Sequence, residues 1–201
     1  MLSRWGVGKT ISFGRYRFSS SSLSKEPIEW NVLDVQGDKA LIITKNIIDF
    51  GAYDSKKTAV TWETSNARNW LNKIFYTEAF SEQEKSMILT SYVINSNNPK
   101  HKTNGGNNTN DKVFLLSIDE ANKYFKETSS FEAIVTDYAK KSGGYDRYAN
   151  EYGYGYWWLR SPGKSVGFAS YVYYYGGVSI DGFSMDGSIF GFRPAMWVDL
   201  A

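Results

Sequence analysis

Cysteine is absent from the 201-residue sequence. Its absence excludes disulfide bridges, a thiol nucleophile and any metal site built on thiolates. Histidine is almost as scarce, because His101 is the single copy and lies between two lysines in a polar segment. A histidine base or a zinc site would depend on that one side chain, which we expect to be solvated in a loop. The sequence therefore predicts no catalytic residue, no bound metal and no cofactor, and favours a protein that is not an enzyme.

Strong charge and long apolar runs are also missing. The net charge is only +2 at pH 7, so neither nucleic acid nor an anionic membrane is indicated as a partner. No apolar run approaches the roughly 20 residues that a membrane-spanning helix needs. Residues 1–6 lack the apolar core of a secretory signal. We therefore expect no membrane insertion and no nucleic-acid binding, and the composition leaves the cellular location open.

Aromatic residues, by contrast, are abundant. The chain has 15 Tyr, 12 Phe and 7 Trp, which together make up 17% of its residues. Tyr and Trp bury a large area yet keep one polar end, so they suit β-rich cores and binding surfaces alike. The hydrophobic content of 42% is ordinary for a folded protein, and the length predicts a single domain over residues 1–201.

Strand patterns dominate the first 44 residues. Residues 10–16 alternate between apolar and polar side chains, as a half-buried strand does. A serine-rich stretch at residues 19–24 predicts a loop. Apolar runs at residues 28–35 and 39–44 flank a glycine-centred turn at residues 36–38, which is typical of a β-hairpin.

Helix signals follow. Ser81 precedes Glu84 by three residues, and Ser117 precedes Glu120 in the same way, which is the spacing of a capping box. The first of these boxes lies ahead of apolar residues 87–89, which we expect the helix to include. Each pair therefore predicts the start of a helix.

Three further segments complete the middle of the chain. Thr64 or Ser65 can cap a helix, and residues 131–140 form a weaker helix candidate. Residues 95–112 contain seven Asn and two adjacent Gly, a composition that cannot form a core. We expect this segment to be a long exposed loop.

The last third of the chain, from residue 152, is rich in Gly, Tyr and Ser. Turn-forming dipeptides at residues 176–177, 181–182 and 186–187 divide it into short alternating runs. These runs predict antiparallel strands. The order of strands, helices, loop and strands indicates a single domain of the α+β class.

Two short patterns resemble functional motifs. Residues 6–10 end like a phosphate-binding loop, but Ser3 replaces its first glycine and a strand pattern follows it. Asp181 and Asp186 could in principle act as acid and base or bind calcium. Each precedes a glycine in a turn, however, and that position itself favours Asp. We expect neither pattern to be a site.

Residues 165–192 have the composition of a recognition surface. Tyr, Ser, Gly, Phe and Asp dominate, a selection shared with antibody paratopes. Ordinary aromatic β-sheet with glycine turns would look similar. A further count shifts the balance. Of residues 1–164, 36 are Lys, Glu, Gln, Trp or Met. At the same frequency about six would be expected in residues 165–192, yet Met185 is the single example there.

Those five amino acids are the ones that no codon ending in a pyrimidine can encode. A segment mutated only at the first two bases of such codons would lack all of them. Ordinary β-turn composition could produce part of the depletion. The count is therefore consistent with diversification of this segment, which codons could test and the protein sequence alone cannot.

Several motifs resemble one uncharacterised bacterial domain over nearly the whole chain. They are Trp62-Glu63-Thr64-Ser65, Arg68-Asn69-Trp70-Leu71-Asn72, Ala79-Phe80-Ser81, Glu84-Lys85, Val113-Phe114-Leu115-Leu116-Ser117, Trp158-Leu159-Arg160-Ser161-Pro162-Gly163 and Gly191-Phe192-Arg193-Pro194-Ala195. That domain looks like a C-type lectin-like fold of the formylglycine-generating-enzyme type. The resemblance implies short antiparallel strands with two to four helices, paired N- and C-terminal strands, and ligand contacts on the C-terminal sheet.

The resemblance also bears on function. The enzyme branch of that superfamily uses a cysteine pair, which this chain lacks, so its oxidative activity is not implied. Other members are variable proteins of diversity-generating retroelements, in which adenine-directed mutagenesis randomises C-terminal surface positions. By that resemblance, residues 165–192 form a variable ligand-binding region. Positions fixed in the relatives are matched here by Ala169, Val172, Gly182 and Met185.

We therefore expect a ligand-binding domain whose partner, a protein or a glycan, contacts the C-terminal segment. The predicted contact residues are Tyr171, Tyr173, Tyr174, Tyr175, Ser179, Asp181, Phe183, Asp186, Ser188 and Phe190. We assign Trp158, Arg160, Arg193 and Trp197 to the framework that supports this segment. The alternative is a carbohydrate or cell-wall module that uses Tyr and Trp rings as stacking platforms.

Overall fold

The computed structural model describes residues 5–17, 24–56, 58–125, 131–141, 151 and 153–201, and its mixture of sheets and short helices confirms the α+β class. The predicted loop at residues 19–24 lies almost wholly outside the described residues. The strands are β1 Thr10–Tyr16, β2 Glu26–Gln36, β3 Lys39–Thr44, β4 Asp49–Phe50, β5 Ser91–Val93, β6 Thr109–Asp111, β7 Trp157–Pro162, β8 Phe168–Val172, β9 Val178–Ser184, β10 Gly191–Phe192 and β11 Ala195–Asp199. The helices are α1 Asn66–Asn69, α2 Tyr76–Ala79, α3 Glu82–Met87, α4 Ile118–Tyr124 and α5 Asp137–Lys141.

The N-terminal strands build a four-stranded antiparallel sheet in the order β1-β2-β3-β11. The predicted strand at residues 10–16 and the predicted hairpin are both confirmed. Because β1 begins at Thr10, the phosphate-loop-like residues 6–10 lead into a strand rather than a helix. The expected pairing of the terminal strands is wrong. Strand β11 pairs with β3, so the first and last strands occupy opposite edges of the sheet.

Serine caps start the helices where the sequence predicts them. The Ser65 hydroxyl accepts a hydrogen bond from Arg68 N at the start of α1. Ser81 and Ser117 each form a complete capping box with the glutamate three residues later. Helix α1 continues through a π-helical segment, Trp70–Phe75, directly into α2.

Two helix predictions are too long. Helix α3 ends at Met87, because Ile88 leaves the helix and forms a bridge with Val198. Within residues 131–140, residues 132–136 are not helical, and α5 covers the end of the segment. The part before it is extended, since Val135 forms a parallel bridge with Ile47. Long-range pairing therefore limits both helices. Within the described residues, no helix is long and apolar enough to cross a membrane.

The C-terminal half forms a five-stranded sheet in the order β4-β10-β7-β8-β9. Every residue of β7 is buried, and β9 is the outermost strand. A smaller two-stranded sheet pairs β5 with β6. The predicted loop at residues 95–112 therefore ends in a strand, β6.

Buried tryptophans fill the core between these layers. Trp30, Trp62, Trp157 and Trp158 are each almost completely buried. The indole N–H of Trp30 donates to the carbonyl of Phe13, and the other three indoles also have acceptors. A buried indole costs little once its single donor is satisfied. The core thus uses tryptophan as a large apolar group with one fixed hydrogen bond.

Candidate functional site

A tight turn carries the three consecutive tyrosines. Strand β8 ends at Val172 and β9 begins at Val178, so Tyr173, Tyr174 and Tyr175 lie in the connection. Tyr173 N donates to Gly177 O at 2.7 Å, and Gly176 N donates to Tyr173 O at 2.9 Å. Gly176 has φ +89°, a conformation that other residues rarely adopt. The turn therefore has a fixed shape.

Seven of the ten predicted contact residues lie at the surface, fully or in part. Tyr175 is 49% exposed and Phe183 is 44% exposed. Tyr173 and Tyr174 are half-buried. Three polar residues are also exposed, namely Asp181, Asp186 and Ser188. We call Tyr173, Tyr174, Tyr175 and Phe183 the tyrosine surface.

Three predicted contact residues are buried, and for them the prediction of a surface position is wrong. Phe190 is 1% exposed because its ring stacks on Trp158, with 4.1 Å between centroids. Tyr171 packs against Phe190 at 4.7 Å, and burial raises the pKa of its hydroxyl. Ser179 is buried and its hydroxyl accepts a hydrogen bond from Gly182 N. These residues support the surface instead of forming it.

A continuous series of ring contacts joins the two ends of the tyrosine surface. Phe183 contacts buried Phe190 at 5.2 Å between centroids, and Phe190 contacts Tyr171. Tyr171 in turn contacts Tyr173 at 4.9 Å, and Tyr173 stacks on Tyr175 at 4.8 Å. The exposed rings therefore rest on one buried aromatic layer.

Tyr156 is part of this layer, and the sequence analysis did not assign it to the site. Its ring lies 5.5 to 6.0 Å from those of Tyr171, Tyr173, Tyr174 and Phe190. Tyr156 lies just before β7 and outside residues 165–192. The signal that could have identified it is its position next to the buried Trp157.

Asp181 is held by the asparagine-rich loop. His101 Nε2 lies 2.6 Å from Asp181 Oδ1, and Lys100 Nζ lies 3.1 Å from the same oxygen. These two contacts, with that of His101 the larger, lower the pKa of Asp181. His101 is exposed in the loop, as the sequence predicts, but it also binds a predicted contact residue, which the sequence analysis did not foresee.

The same loop is fixed by a buried amide. Asn98 is completely buried, and its Nδ2 donates to Pro162 O and Ile180 O, both at 2.8 Å. Its Oδ1 accepts hydrogen bonds from the backbone N–H groups of Lys100 and His101. The expectation that residues 95–112 are simply an exposed loop is thus wrong. Most of their side chains face solvent, but Asn98 fastens the loop to β7 and β9.

The two aspartates considered as an acid–base pair have separate partners. Asp181 binds the loop, as described above. Asp186 accepts a hydrogen bond from the Ser184 hydroxyl. Within the described residues, no group of three His, Asp or Glu side chains is placed to hold a metal ion.

The structure places the four residues assigned to the framework inside the protein or partly inside it. Trp158 is buried and its indole N–H donates to Gly51 O at 2.9 Å. Arg160 is buried and forms an ion pair with Glu120, and Arg193 is buried between aromatic rings. Trp197 is half-buried on β11, where Lys39 lies over its ring.

Comparison with known proteins adds a family. A family model described as "Domain of unknown function (DUF6273)" matches residues 37–200. Neither the curated proteins nor the solved structures gave a match to the chain. Since the matched segment covers well over half of the chain, including β3, β11 and the whole tyrosine surface, the chain belongs to the family Domain of unknown function (DUF6273).

Proposed function

We propose that this protein is a recognition domain that binds another protein through the tyrosine surface. The observation that carries the proposal is the cluster of partly exposed rings on a rigid turn, backed by one buried aromatic layer. Tyrosine supplies a large contact area with few rotatable bonds, so little entropy is lost when a partner binds. Preorganisation of this kind increases affinity without further contacts.

The supporting layer explains why the rings stay exposed. Tyr175 stacks on Tyr173 with an interplanar angle of 12°, and Gly177 lies directly beside it. A Cβ atom at Gly177 would come within 2.9 Å of the Tyr175 ring. The ring is therefore braced against the turn and cannot collapse into the core, which is already filled by Phe190 and Tyr171.

The geometry favours a protein over a glycan. A sugar-stacking site needs aromatic faces that are open and lie side by side. Here Tyr173 and Tyr175 cover one another's faces, and Tyr174 meets Tyr175 edge-on at 86°. Stacking leaves each ring of this pair with one face fewer for a sugar, whereas partly exposed rings with hydroxyl groups suit the mixed apolar and polar surface of a protein partner.

Burial also agrees with diversification of residues 165–192, which we include in the proposal. Ala169, Val172 and Met185 are buried. Gly182 has φ +74°, and a Cβ there would lie 2.4 Å from Ala169 O. These are the four positions that the resemblance treats as fixed, and each has a structural reason to be invariant.

A near-repeat of the coding segment that differs at adenines, next to a reverse transcriptase gene, is the expected genomic arrangement. Codons at the exposed positions that are unrelated to such a repeat would contradict it.

The binding proposal is tested with a triple variant, Tyr174→Ser, Tyr175→Ser and Phe183→Ser. We expect partners captured by the wild-type protein to be lost, and the affinity of a purified partner to fall by at least about 100-fold, since buried aromatic contacts dominate interfaces. The control is Tyr92→Ser with Ile94→Ser, which removes two exposed apolar side chains from β5 and the residue directly after it.

The same variants are applied to a glycan array. A partner that the triple variant retains and the control loses would overturn the assignment of the surface. Glycan binding that depends on the three aromatic residues, without a protein partner, would replace this proposal with the carbohydrate module.

A further inference from the structure

The protein contains two buried arginines with very different surroundings. Arg160 uses every donor of its guanidinium group, since it donates to Glu120, to the side chain of Asn95 and to the carbonyls of Leu115 and Ile94. Its charge is balanced by the Glu120 carboxylate. Burial alone would raise the pKa of Glu120, but Arg160 lowers it. Arg160 is therefore a satisfied structural residue.

Arg193 is 1% exposed and lacks that compensation. Its Nε donates to Thr44 O at 2.8 Å, and its Nη1 makes a long hydrogen bond of 3.4 Å to Phe131 O. A guanidinium group has five N–H donors. In the described part of the chain, Arg193 forms no ion pair with a carboxylate. Among the described residues, three of its five donors therefore have no recorded acceptor, and its charge has no carboxylate partner.

Aromatic rings reduce this cost only in part. The centroids of Trp157 and Phe125 lie 5.0 and 5.3 Å from Arg193 Cζ, which is within the range of a cation–π interaction. Burial nevertheless lowers the pKa of Arg193 to about 9. A buried charge without a counter-ion is costly, so an anion that reached Arg193 would gain an unusually strong partner.

A cavity borders this arginine. It has a volume of about 460 Å³ and lies between the N-terminal segment, β2, the end of α4 and residues 132–134. Its apolar wall contains Val32, Leu33, Phe125 and Ile134. The charged groups on the wall are Arg193, Lys45 and Glu132, so positive charge exceeds negative. The volume is within the range of small-molecule sites.

We propose that this cavity binds the carboxylate of a small organic acid with an apolar body, and that Arg193 is its anchor. The planar guanidinium group matches a carboxylate with two parallel hydrogen bonds. Ile134 and Leu33 would contact the apolar body. This site is separate from the tyrosine surface, because no residue of that surface lines the cavity.

Calorimetry with 3-phenylpropionate as the probe tests the proposal. We expect saturable binding to the full chain, and binding of its neutral amide should be at least about tenfold weaker, since a hydrogen-bonded charge is replaced. The indole N–H resonance of Trp157 should shift with the acid and stay in place with the amide. N-acetylphenylalanine tests whether the carboxylate can belong to a chain terminus, and binding by either acid supports the site.

Equal binding of acid and amide, or equal binding of the acid and inorganic phosphate, would overturn the proposal. The proposal would also be overturned if neither 3-phenylpropionate nor N-acetylphenylalanine bound at millimolar concentration, since water would then be the occupant of the cavity.

Variants locate the binding to the cavity. Arg193→Met removes the charge at similar volume, and we expect a folded protein that no longer binds the acid. Should this variant not fold, Ile134→Trp narrows the mouth at a residue that is 51% exposed and should weaken binding at least about tenfold. The matched control, Ile74→Trp, alters a residue of similar exposure outside the cavity and should bind normally.

Glu132→Gln completes the set, because removing the one acidic group of the cavity wall should strengthen binding. Weaker binding in this variant, or normal binding in Ile134→Trp, would contradict the assignment.

Discussion

Replacing Asn98 with aspartate should destabilise the protein severely, although the two side chains have the same shape. The substitution removes both Nδ2 donors, so the hydrogen bonds to Pro162 O and Ile180 O are lost. The Ser170 hydroxyl still reaches both carbonyls, which limits the damage there. The new carboxylate oxygen, however, faces two carbonyl oxygens in a site with no access to solvent.

The magnitude follows from these contacts. Two lost hydrogen bonds cost about 1 kcal/mol each, and the repulsion of a buried charge adds about 1 kcal/mol more, for a total of about 3 kcal/mol. For a domain of this size that corresponds to a fall in Tm of roughly 10 °C. The deficit should shrink in acid. Burial raises the folded-state pKa of the introduced carboxyl, so the penalty is present above its unfolded pKa of about 3.9 and disappears as protonation restores a donor.

Urea unfolding followed by tryptophan fluorescence measures the effect at pH 7 and pH 4. The control is Asn104→Asp, because Asn104 is exposed in the same loop and its Oδ1 only accepts a hydrogen bond from Gly106 N. An aspartate there keeps that bond, so its cost should stay within about 0.5 kcal/mol. Equal stability of the two variants would refute the conclusion that a buried amide holds the loop.

Three further substitutions test the framework. Phe190→Ala removes a ring that is buried against Trp158, so it should lower the free energy of unfolding by about 4 kcal/mol in a denaturant titration. A loss below about 1 kcal/mol would mean that the buried aromatic layer is loosely packed. Glu120→Gln should cost about 3 kcal/mol at neutral pH by leaving Arg160 unpaired. Arg160 lowers the pKa of Glu120, so the stabilisation by the ion pair is present above the unfolded-state pKa and is lost as the pH falls through the folded-state pKa. The stability difference between wild type and Glu120→Gln should therefore be smaller at pH 3 than at pH 7. A difference that does not depend on pH would contradict the ion pair. Ser81→Ala removes the cap of α3 and should cost about 1 kcal/mol in thermal unfolding, whereas Ser86→Ala in the same helix should cost less.

Local signals account for the elements that the sequence predicts well. The capping serines Ser81 and Ser117 act on backbone groups within three residues, so their effect is visible in a short window of sequence. The hairpin of β2 and β3 depends in the same way on a turn between neighbouring runs. Strand β11 pairs with β3 across most of the chain, and no short window contains that information.

The candidate site was harder to predict for a different reason. Tyr171 and Tyr175 are chemically identical, yet one is inside and the other outside, because β8 is an inner strand of its sheet whereas residue 175 lies in the turn. Burial of Phe190 follows from its contact with Trp158, more than thirty residues earlier. Asn98 is similarly hidden from pattern analysis, since polarity predicts exposure unless the acceptors that will surround the amide are known.

The loop held by Asn98 also brings polar side chains to β9, an edge strand of the five-stranded sheet. Strand β9 has no strand on its far side, and an uncovered edge can recruit strands from other molecules. Lys100 and His101 of this loop place charged or polar groups beside Asp181 of β9. A protein that presents adhesive aromatic rings next to an open strand would be prone to aggregation. Charged and polar side chains beside an edge strand are one of the devices by which proteins discourage such pairing.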